Sequence, residues 1–443
     1  MLPVPWLLVL IPLLAAGAAG ERARDGGDWP RFLGPTLNGR SAETGLWLRW
    51  SERAPAICWQ RVVGEGYGMP SISDGRLFLF DRHGDRARLT CLDSATGKEL
   101  WRSEYATDYD DYYDFGNGPR ATPVVHGKQV YTFGAEGRLR CHQVSDGKLL
   151  WEVDTARRFG VVRNFFGVGS TPLIEGDLLI AVVGGSPPGS PDIHSGELKG
   201  NGSGVVAFDR LSGEMRYSIS DELAGYSSPV AATIGDRRWV FVLARGGLLG
   251  FEPTTGKIDF HFPWRSKKLL SVNAATPVVV GNQVLISESY GPGSALLSVR
   301  PGGYDVAWSD GGKHEKSLLS HWATPVHHQG YVYGVSGSGT GDAELRALEL
   351  ATGKIAWAKG GLGRTTMLYV DGHLVLLGEY GRLRVIRADP EGFSQIAELK
   401  LEDNGEPLIR HPAWNAPVLA KGLLYVRGKD RLVCLDVNPV PSP

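Results

Sequence analysis

Nine polar or aromatic residues lie shortly before a recurring proline-containing motif, and their types suit ligand binding. Arginine provides forked donors, histidine and asparagine provide neutral hydrogen bonds, and aromatic rings provide stacking surfaces; together they suit a polar ligand with a flat or anionic part. The candidate ligand-binding residues are Tyr67, Arg120, Tyr226, Asn273, His321, Trp322, Arg364, Trp414 and Asn415. The alternative is a solvated funnel in which these residues only fix the conformation of the loops.

A second candidate is the segment from Tyr105 to Phe115, in which aspartates alternate with tyrosines. Carboxylates beside aromatic rings suit calcium, a sugar or a partner chain, and unusually long loops are often functional. The residues predicted to contact a partner or glycan are Tyr109, Asp110, Asp111, Tyr112 and Tyr113. An acidic loop that serves only solubility is the alternative.

The sequence lacks the motifs of the common catalytic sites. It contains no nucleophile elbow, no phosphate-binding loop and no His-Glu-x-x-His. Asp192, His194 and Glu197 lie in an insertion from Gly184 to Gly204 that is rich in Gly, Ser and Pro, and such flexible spacing offers no preorganised metal geometry. We therefore predict no catalytic residue and no metal site.

These candidates belong to a unit that occurs eight times along the chain. Each copy begins with a small residue, Thr or Ser, and Pro, continues through apolar strands, and closes with an acidic turn, Thr-Gly-Lys and a Trp-containing strand. The markers are Pro70, Pro123, Pro172, Pro229, Pro277, Pro325 and Pro417, with a copy that lacks proline at Thr365-Thr366-Met367. A period of roughly 40 to 60 residues is typical of a four-stranded propeller blade.

The first and last copies predict that the blades form a closed ring. The last copy stops after the strand that contains Cys434, whereas the strand around Trp59 has no earlier partner. Pairing of these two segments removes an open sheet edge. The sequence predicts an all-β, eight-bladed propeller over residues 55–438, closed by an N-terminal strand. It is preceded by a signal peptide over residues 1–20 and an extension over residues 21–54 that packs on the propeller, and it is followed by a tail over residues 439–443.

The tryptophan of each unit is predicted to be structural. A large ring at the end of the outer strand can bridge one blade to the next, and the glycine of the acidic turn supplies a positive φ. The predicted docking residues are Trp59, Trp101, Trp151, Trp308 and Trp357, and Tyr217 and Phe260 replace tryptophan in two blades.

Composition and the N-terminus bear on compartment and partners. Lys and Arg number 47 against 48 Asp and Glu, so there is no basic excess for nucleic acid. An apolar stretch from Pro3 to Ala16, followed by small residues, predicts a cleaved signal peptide and a periplasmic or secreted protein, with an uncleaved anchor as the alternative. We expect a monomer without a transmembrane segment in the mature chain. Cys58 and Cys434 lie on strands predicted to be neighbours, and whether they form a disulfide stays open.

The segment from Leu92 to Trp101, with the sequence Leu-Asp-Ser-Ala-Thr-Gly-Lys-Glu-Leu-Trp, resembles the pyrroloquinoline quinone (PQQ) repeat. The resemblance covers nearly all of the chain after the signal peptide and implies an eight-bladed propeller. The family includes quinoprotein dehydrogenases, which hold the quinone and calcium over the ring axis, and the propeller lipoprotein of the outer-membrane assembly machinery, which binds neither. The segment from Asp28 to Pro35 further resembles exported quinone-repeat-like proteins of planctomycetes.

The chain departs from the dehydrogenase pattern. It has no vicinal cysteine pair, no Cys-x-x-Cys-His haem motif, and no stretch that matches the calcium ligands and catalytic aspartate. We therefore expect a non-catalytic ligand-binding or protein-assembly platform in the cell envelope, with an envelope protein, a polar small molecule or a glycan as partner and no cofactor. The alternatives are a PQQ-dependent alcohol or aldose oxidoreductase with PQQ and calcium, and a carbohydrate-binding propeller.

Overall fold

The computed structural model describes residues 26–194, 197–269 and 271–439. Eight sheets follow one another along the chain, seven with four antiparallel strands and one with an added fifth strand, which confirms the predicted eight-bladed propeller. One helix of five residues interrupts this all-β pattern. The predicted signal peptide lies outside the described residues, as does all but the first residue of the predicted tail.

The strands are numbered in chain order, and their bounds are as follows. Before the first repeat come β1 (Arg40–Ser41) and β2 (Ala56–Val62). Blade 1 contains β3 (Ser71–Ser73), β4 (Arg76–His83), β5 (Arg86–Asp93) and β6 (Glu99–Ala106); blade 2 contains β7 (Val124–His126), β8 (Gln129–Phe133), β9 (Arg138–Gln143) and β10 (Leu149–Asp154), followed by helix α1 (Thr155–Phe159). Blade 3 contains β11 (Leu173–Glu175), β12 (Leu178–Val182), β13 (Val205–Asp209) and β14 (Met215–Ile219); blade 4 contains β15 (Val230–Ile234), β16 (Arg237–Leu243), β17 (Gly247–Phe251) and β18 (Ile258–Pro263).

The second half of the ring repeats the same order. Blade 5 contains β19 (Val278–Val280), β20 (Gln283–Glu288), β21 (Gly293–Arg300) and β22 (Gly303–Ser309); blade 6 contains β23 (Val326–His328), β24 (Tyr331–Ser336), β25 (Glu344–Glu349) and β26 (Ile355–Gly360). Blade 7 contains β27 (Thr365–Val370), β28 (His373–Gly378), β29 (Arg382–Arg387) and β30 (Gln395–Lys400), followed by a hairpin of β31 (Glu402–Asp403) and β32 (Glu406–Pro407). Blade 8 contains β33 (Val418–Ala420), β34 (Leu423–Arg427), β35 (Arg431–Asp436) and, as its outer strand, β2.

The ring closes as the sequence predicts. Strand β2 pairs antiparallel with β35, and Trp59 lies opposite Cys434. The register shifts between Ile57 and Trp59, at a bulge that contains Cys58; Cys58 is exposed, whereas Cys434 is buried. The N-terminal strand therefore covers the edge that the last repeat leaves open.

The tryptophans of the outer strands contact the next blade in a regular way. The indole nitrogens of Trp59, Trp101, Trp151, Trp308 and Trp357 each donate a hydrogen bond of 2.8–3.1 Å to a backbone carbonyl of the following blade. The ring of Trp59 lies on Gly97, where a Cβ atom would come within 2.6 Å of the indole. Glycine is thus needed at this turn for the close contact as well as for its φ of 69°.

The Thr and Ser residues before the recurring prolines also connect the blades. Each hydroxyl accepts a hydrogen bond from a backbone N–H of the preceding blade, at 2.9–3.3 Å. The accepting hydroxyls belong to Thr122, Thr171, Ser228, Thr276 and Thr324. This ladder holds the entry to each inner strand at a constant height around the axis, which places the residues just before it at one mouth of the channel.

The N-terminal segment crosses the inner strands of several blades. Trp29 forms a bridge with Ile72 of blade 1, Pro30 accepts a hydrogen bond from Val125 of blade 2, and β1 pairs in parallel with β27 of blade 7. This path makes blade 7 a five-stranded sheet, which the sequence does not predict. Within the described part of the chain, no helix has the length and apolar character needed to cross a lipid bilayer.

Candidate functional site

Eight of the nine predicted mouth residues line one cavity of about 450 Å³ at the axis of the ring. They are Tyr67, Arg120, Tyr226, His321, Trp322, Arg364, Trp414 and Asn415. The ninth, Asn273, is buried and donates from Nδ2 to the backbone oxygen of Ala244 at 2.7 Å, so its side chain holds a loop of blade 4. Asn415 lines the cavity and also donates to the backbone oxygen of Tyr67, which joins blade 8 to the loop before blade 1.

Aromatic rings form one continuous wall of this mouth cavity. Trp414 stacks on Tyr67 with ring centroids 5.2 Å apart, and it meets Trp322 at 5.1 Å. Trp322 in turn contacts His321 at 4.8 Å. Offset or tilted rings at these distances attract one another and present a large apolar surface to a ligand.

Both arginines of the mouth already have anionic partners. Arg364 donates from Nε and Nη2 to Oε2 of Glu379 at 2.8 and 2.6 Å, and its guanidinium lies 4.8 Å from the ring centre of Trp322. Burial by itself raises the pKa of Glu379, but the hydrogen bonds from Arg364 outweigh it and the pKa is lowered. Arg120 pairs with Asp111 at 2.8 Å. The mouth is therefore less cationic than its sequence predicts.

Three polar atoms of the mouth lack a partner among the described residues. They are Nε1 of Trp322, Nε1 of Trp414 and Nδ1 of His321. Nε2 of His321 lies 2.7 Å from the hydroxyl of Tyr290. Burial, with the charge of Arg364, lowers the pKa of His321 to about 4, so the ring is neutral at pH 7. Buried donors normally have acceptors, and these two indole N–H groups, on residues that line the cavity, have none among the described residues.

Sequence reasoning missed several aromatic and apolar residues of the cavity. Phe115 and Phe166 extend the aromatic wall, with ring centroids 5.7 Å apart, and Tyr290 comes from blade 5. Phe32 and Leu33 of the N-terminal segment also line it. The paired phenylalanines at 165 and 166 were visible in the sequence, but nothing marks Tyr290 or the N-terminal residues, because their positions depend on the path of the chain across the ring.

In the acidic, tyrosine-rich loop, some of the predicted residues are buried and hold the loop together, whereas others are exposed. Tyr109 is buried and donates to Asp111 at 3.1 Å, and Asp111 also accepts from the backbone N–H of Phe115 at 2.8 Å. Asp110 is exposed and accepts from Asn117. Tyr112 is 70 % exposed and makes a T-shaped contact with Tyr113, with ring centroids 5.0 Å apart. Asp111 thus orders the loop and pairs with Arg120.

No group of three or more His, Cys, Asp or Glu residues within the described ranges is arranged to hold a metal ion, and Asp192, His194 and Glu197 do not form one. The residues that line the mouth cavity include no aspartate or glutamate. Calcium prefers six to eight oxygen ligands, usually with several carboxylates, so the mouth does not fit the calcium ion of a quinone site. The aromatic wall does offer stacking surface to a planar ring.

Solved structures with this architecture include both types of protein that the sequence resembles. BamB from Moraxella catarrhalis aligns with a TM-score of 0.58 and 13% identity, covering 88% of this chain and 99% of that chain. Quinohemoprotein alcohol dehydrogenase from Comamonas testosteroni aligns with a TM-score of 0.61 and 13% identity, covering 94% of this chain and 81% of that chain. At such low identity the similarity establishes the fold alone.

Among curated protein sequences, none matches this chain significantly. A family model described as outer membrane protein assembly factor BamB matches residues 85–359, which is more than half of the chain. This match agrees with the repeat, the ring closure and the blade count. The chain therefore belongs to the PQQ-like β-propeller family described as outer membrane protein assembly factor BamB.

Proposed function

We propose that this protein is a non-catalytic assembly platform of the cell envelope whose mouth cavity binds an extended segment of a partner protein. The observation that carries the proposal is the pair of indole N–H groups, on Trp322 and Trp414, that lack acceptors in the wall of an aromatic cavity. A polypeptide in extended conformation presents a carbonyl acceptor at every residue, and its side chains can enter the cavity between the rings.

The rim of the cavity supports a protein partner. Phe115 lines the cavity and is 46 % exposed. Tyr380 is 60 % exposed and stacks on His411 with ring centroids 4.8 Å apart, and the ring of His411 lies 5.9 Å from that of Trp414 in the cavity wall. Aromatic residues and arginine are enriched where protein interfaces carry most of their binding energy. With the arginines neutralised by Glu379 and Asp111, the surface favours an apolar or aromatic side chain over an anion.

The location in the envelope rests on two supports. The family model is described as an outer-membrane assembly factor, and the sequence begins with an apolar stretch and small residues typical of an exported protein. The predicted cleavage near residue 20 and the monomeric state are part of the same proposal.

A carbohydrate is the second candidate, because the aromatic wall and two free donors also suit the face and hydroxyl groups of a sugar ring. The exposed ring of Tyr112 beside the mouth favours it further. A PQQ-dependent oxidoreductase fits less well, because the cavity wall lacks carboxylate ligands for calcium and because Arg120 and Arg364 are already paired.

Site-specific photocrosslinking in intact cells tests the proposal. A benzoylphenylalanine at position 380, on the rim, should give a discrete crosslinked product, whereas one at position 211, on a turn between outer strands of blade 3, should not. The positions are matched, since Tyr380 is 60 % and Leu211 is 55 % exposed. Replacing both Trp322 and Trp414 by Phe keeps the rings but removes the donors, and we expect the product to decrease about tenfold.

Three outcomes contradict the proposal. Equal crosslinking from positions 380 and 211 means that the mouth has no specific partner. Retention of the purified protein on immobilised glycans, without a protein crosslink, favours carbohydrate binding. Quinone-dependent dye reduction, after addition of PQQ and calcium with an alcohol or aldose, identifies an oxidoreductase.

A further inference from the structure

A second cavity of about 320 Å³ lies beside the mouth cavity, under the loops that lead into blade 3. Its walls come from blades 2, 3 and 4, from the loop after blade 1, from residues 161–164 and 167–170, and from Ile193 and Leu198 of the insertion in blade 3. Gly169 borders both cavities. A Cβ atom at Gly169 would come within 2.6 Å of the ring of Tyr226, so these two residues form a thin partition.

Arg245 lines this side cavity and lacks a counterion. The residue is only 7 % exposed, and it takes part in no ion pair among the described residues. Its Nε has no hydrogen-bond partner, and Nη2 makes a contact of 3.5 Å with the backbone oxygen of Leu269. Burial, with repulsion from Arg265, lowers the pKa of Arg245 to about 10, so the guanidinium is still charged at pH 7.

Two of the other buried arginines of this protein pair with carboxylates, and a third donates to backbone carbonyls. Arg140 pairs with Glu152 at 2.7 Å, and Arg384 pairs with Glu398 at 2.9 Å. Arg427 donates to the backbone oxygens of Gly68 and Gly64. The guanidinium carbon of Arg245 lies 5.3 Å from the ring centre of Phe165, and this ring takes the place of a carboxylate partner. Because burial of a charge without an anionic partner is strongly unfavourable, a guanidinium in the lining of a cavity is best explained by an anion that enters the cavity.

The other residues that line the side cavity indicate which further groups a ligand could contain. Val161, Val162, Val183 and Leu223 make much of the wall apolar. The acidic groups that border the cavity are Asp108 and Glu136, and Glu136 accepts a hydrogen bond from the hydroxyl of Tyr105 at 2.6 Å. Its volume, about 320 Å³, lies at the small end of ligand pockets.

We propose that this side cavity binds a small monocarboxylic acid with an apolar body, whose carboxylate accepts hydrogen bonds from Arg245. The planar guanidinium suits a carboxylate, and the valine and leucine side chains suit a short hydrocarbon chain. This site is distinct from the mouth cavity, and it does not depend on the function proposed for the mouth.

Isothermal titration of the purified mature chain with sodium hexanoate tests the proposal, with hexanamide, sodium acetate and sodium phosphate as comparison ligands. Hexanoate should bind at least ten times more tightly than either hexanamide or acetate. Hexanamide lacks the negative charge of the carboxylate, and acetate lacks the longer hydrocarbon chain. Arg245→Met should abolish hexanoate binding. The control Arg157→Met, at an exposed arginine of α1, should leave hexanoate binding unchanged.

The melting temperature gives an independent readout. Without ligand, Arg245→Met should melt at the same or a higher temperature than the wild type, because a buried charge without a partner has been removed. Hexanoate should raise the melting temperature of the wild type and not of the variant. Three results with the wild type overturn the proposal whether or not the variant folds. They are equal affinity for hexanoate and hexanamide, a preference for phosphate, and the absence of hexanoate binding. A variant that folds and binds hexanoate like the wild type also overturns it.

Discussion

Tryptophans at the outside of the ring and tryptophans at its mouth have the same side chain but different surroundings. The indole nitrogens of Trp59, Trp101, Trp151, Trp308 and Trp357 all donate to a carbonyl of the next blade. The indole nitrogens of Trp322 and Trp414 have no acceptor within the described part of the chain, and both residues line a cavity. The residue type therefore does not distinguish the two roles. The presence or absence of an acceptor for the indole N–H distinguishes tryptophans that dock blades from those that can contact a ligand.

A missing acceptor is informative only together with a cavity that a partner can enter. The indole nitrogen of Trp239 also lacks an acceptor among the residues that the structure describes, but Trp239 is fully buried in the core of blade 4, where Arg237 lies 4.2 Å from its ring centre. The mouth residues differ because rings, free donors and open space occur together. The comparison can be tested by changing equivalent atoms in the two regions.

Truncation of an outer tryptophan should have the largest effect. Trp151→Ala removes a buried ring and its hydrogen bond to Arg210, and we expect the free energy of unfolding to fall by about 3–5 kcal/mol. Trp414→Ala should cost less than half as much, because one side of its ring faces the cavity. Urea denaturation followed by circular dichroism measures both values; equal losses would remove the distinction between the two regions.

Acidification should reveal the buried histidine of the mouth. The folded-state pKa of His321 is about 4, below the ordinary value of 6.5, so its contribution to stability is complete above pH 6.5 and is lost as the pH falls towards 4. The free energy of unfolding of the wild type should therefore decrease between pH 7 and pH 4 because of this histidine. In His321→Gln the decrease over the same range should be smaller by about 3 kcal/mol.

The matched control for this histidine is His314→Gln, at an exposed position, which should follow the wild type at every pH. Urea denaturation at a series of pH values gives the comparison. If the free energy of unfolding of His321→Gln has the same pH dependence as that of the wild type, burial in the mouth does not lower the pKa of this histidine.

Removal of a single indole N–H should have the smallest effect on stability, and the effect should differ clearly between Trp308 and Trp322. Trp308→Phe loses the hydrogen bond to the carbonyl of Leu350 and leaves that acceptor without its donor, so we expect a loss of about 1 kcal/mol beyond the change in ring size. Trp322→Phe has no such bond to lose. Its urea midpoint should stay close to that of the wild type, and a large shift would show that its N–H has a structural role.

Much of the mouth could be predicted because it follows from the repeat. Tyr67 and Arg120 precede equivalent inner strands, so the period alone predicts that they meet at the axis. Asn273 obeys the same rule, yet its amide turns to the backbone oxygen of Ala244, because a short side chain takes the nearest acceptor. The ion pair of Arg364 with Glu379 was not predictable, since the two lie 15 positions apart, one just before β27 and one just after β28, and only the pairing of these strands brings them together.

The amino-acid sequence alone determined the all-β class, the eight blades and the closure of the ring, because hydrophobic alternation, turn glycines and the split final repeat are local patterns that recur. The tertiary structure decided which of the converging residues face open space, which charges are already neutralised, and how the N-terminal segment crosses the ring from blade 1 to blade 7. These features depend on contacts between residues distant in the chain, and no local pattern encodes such contacts.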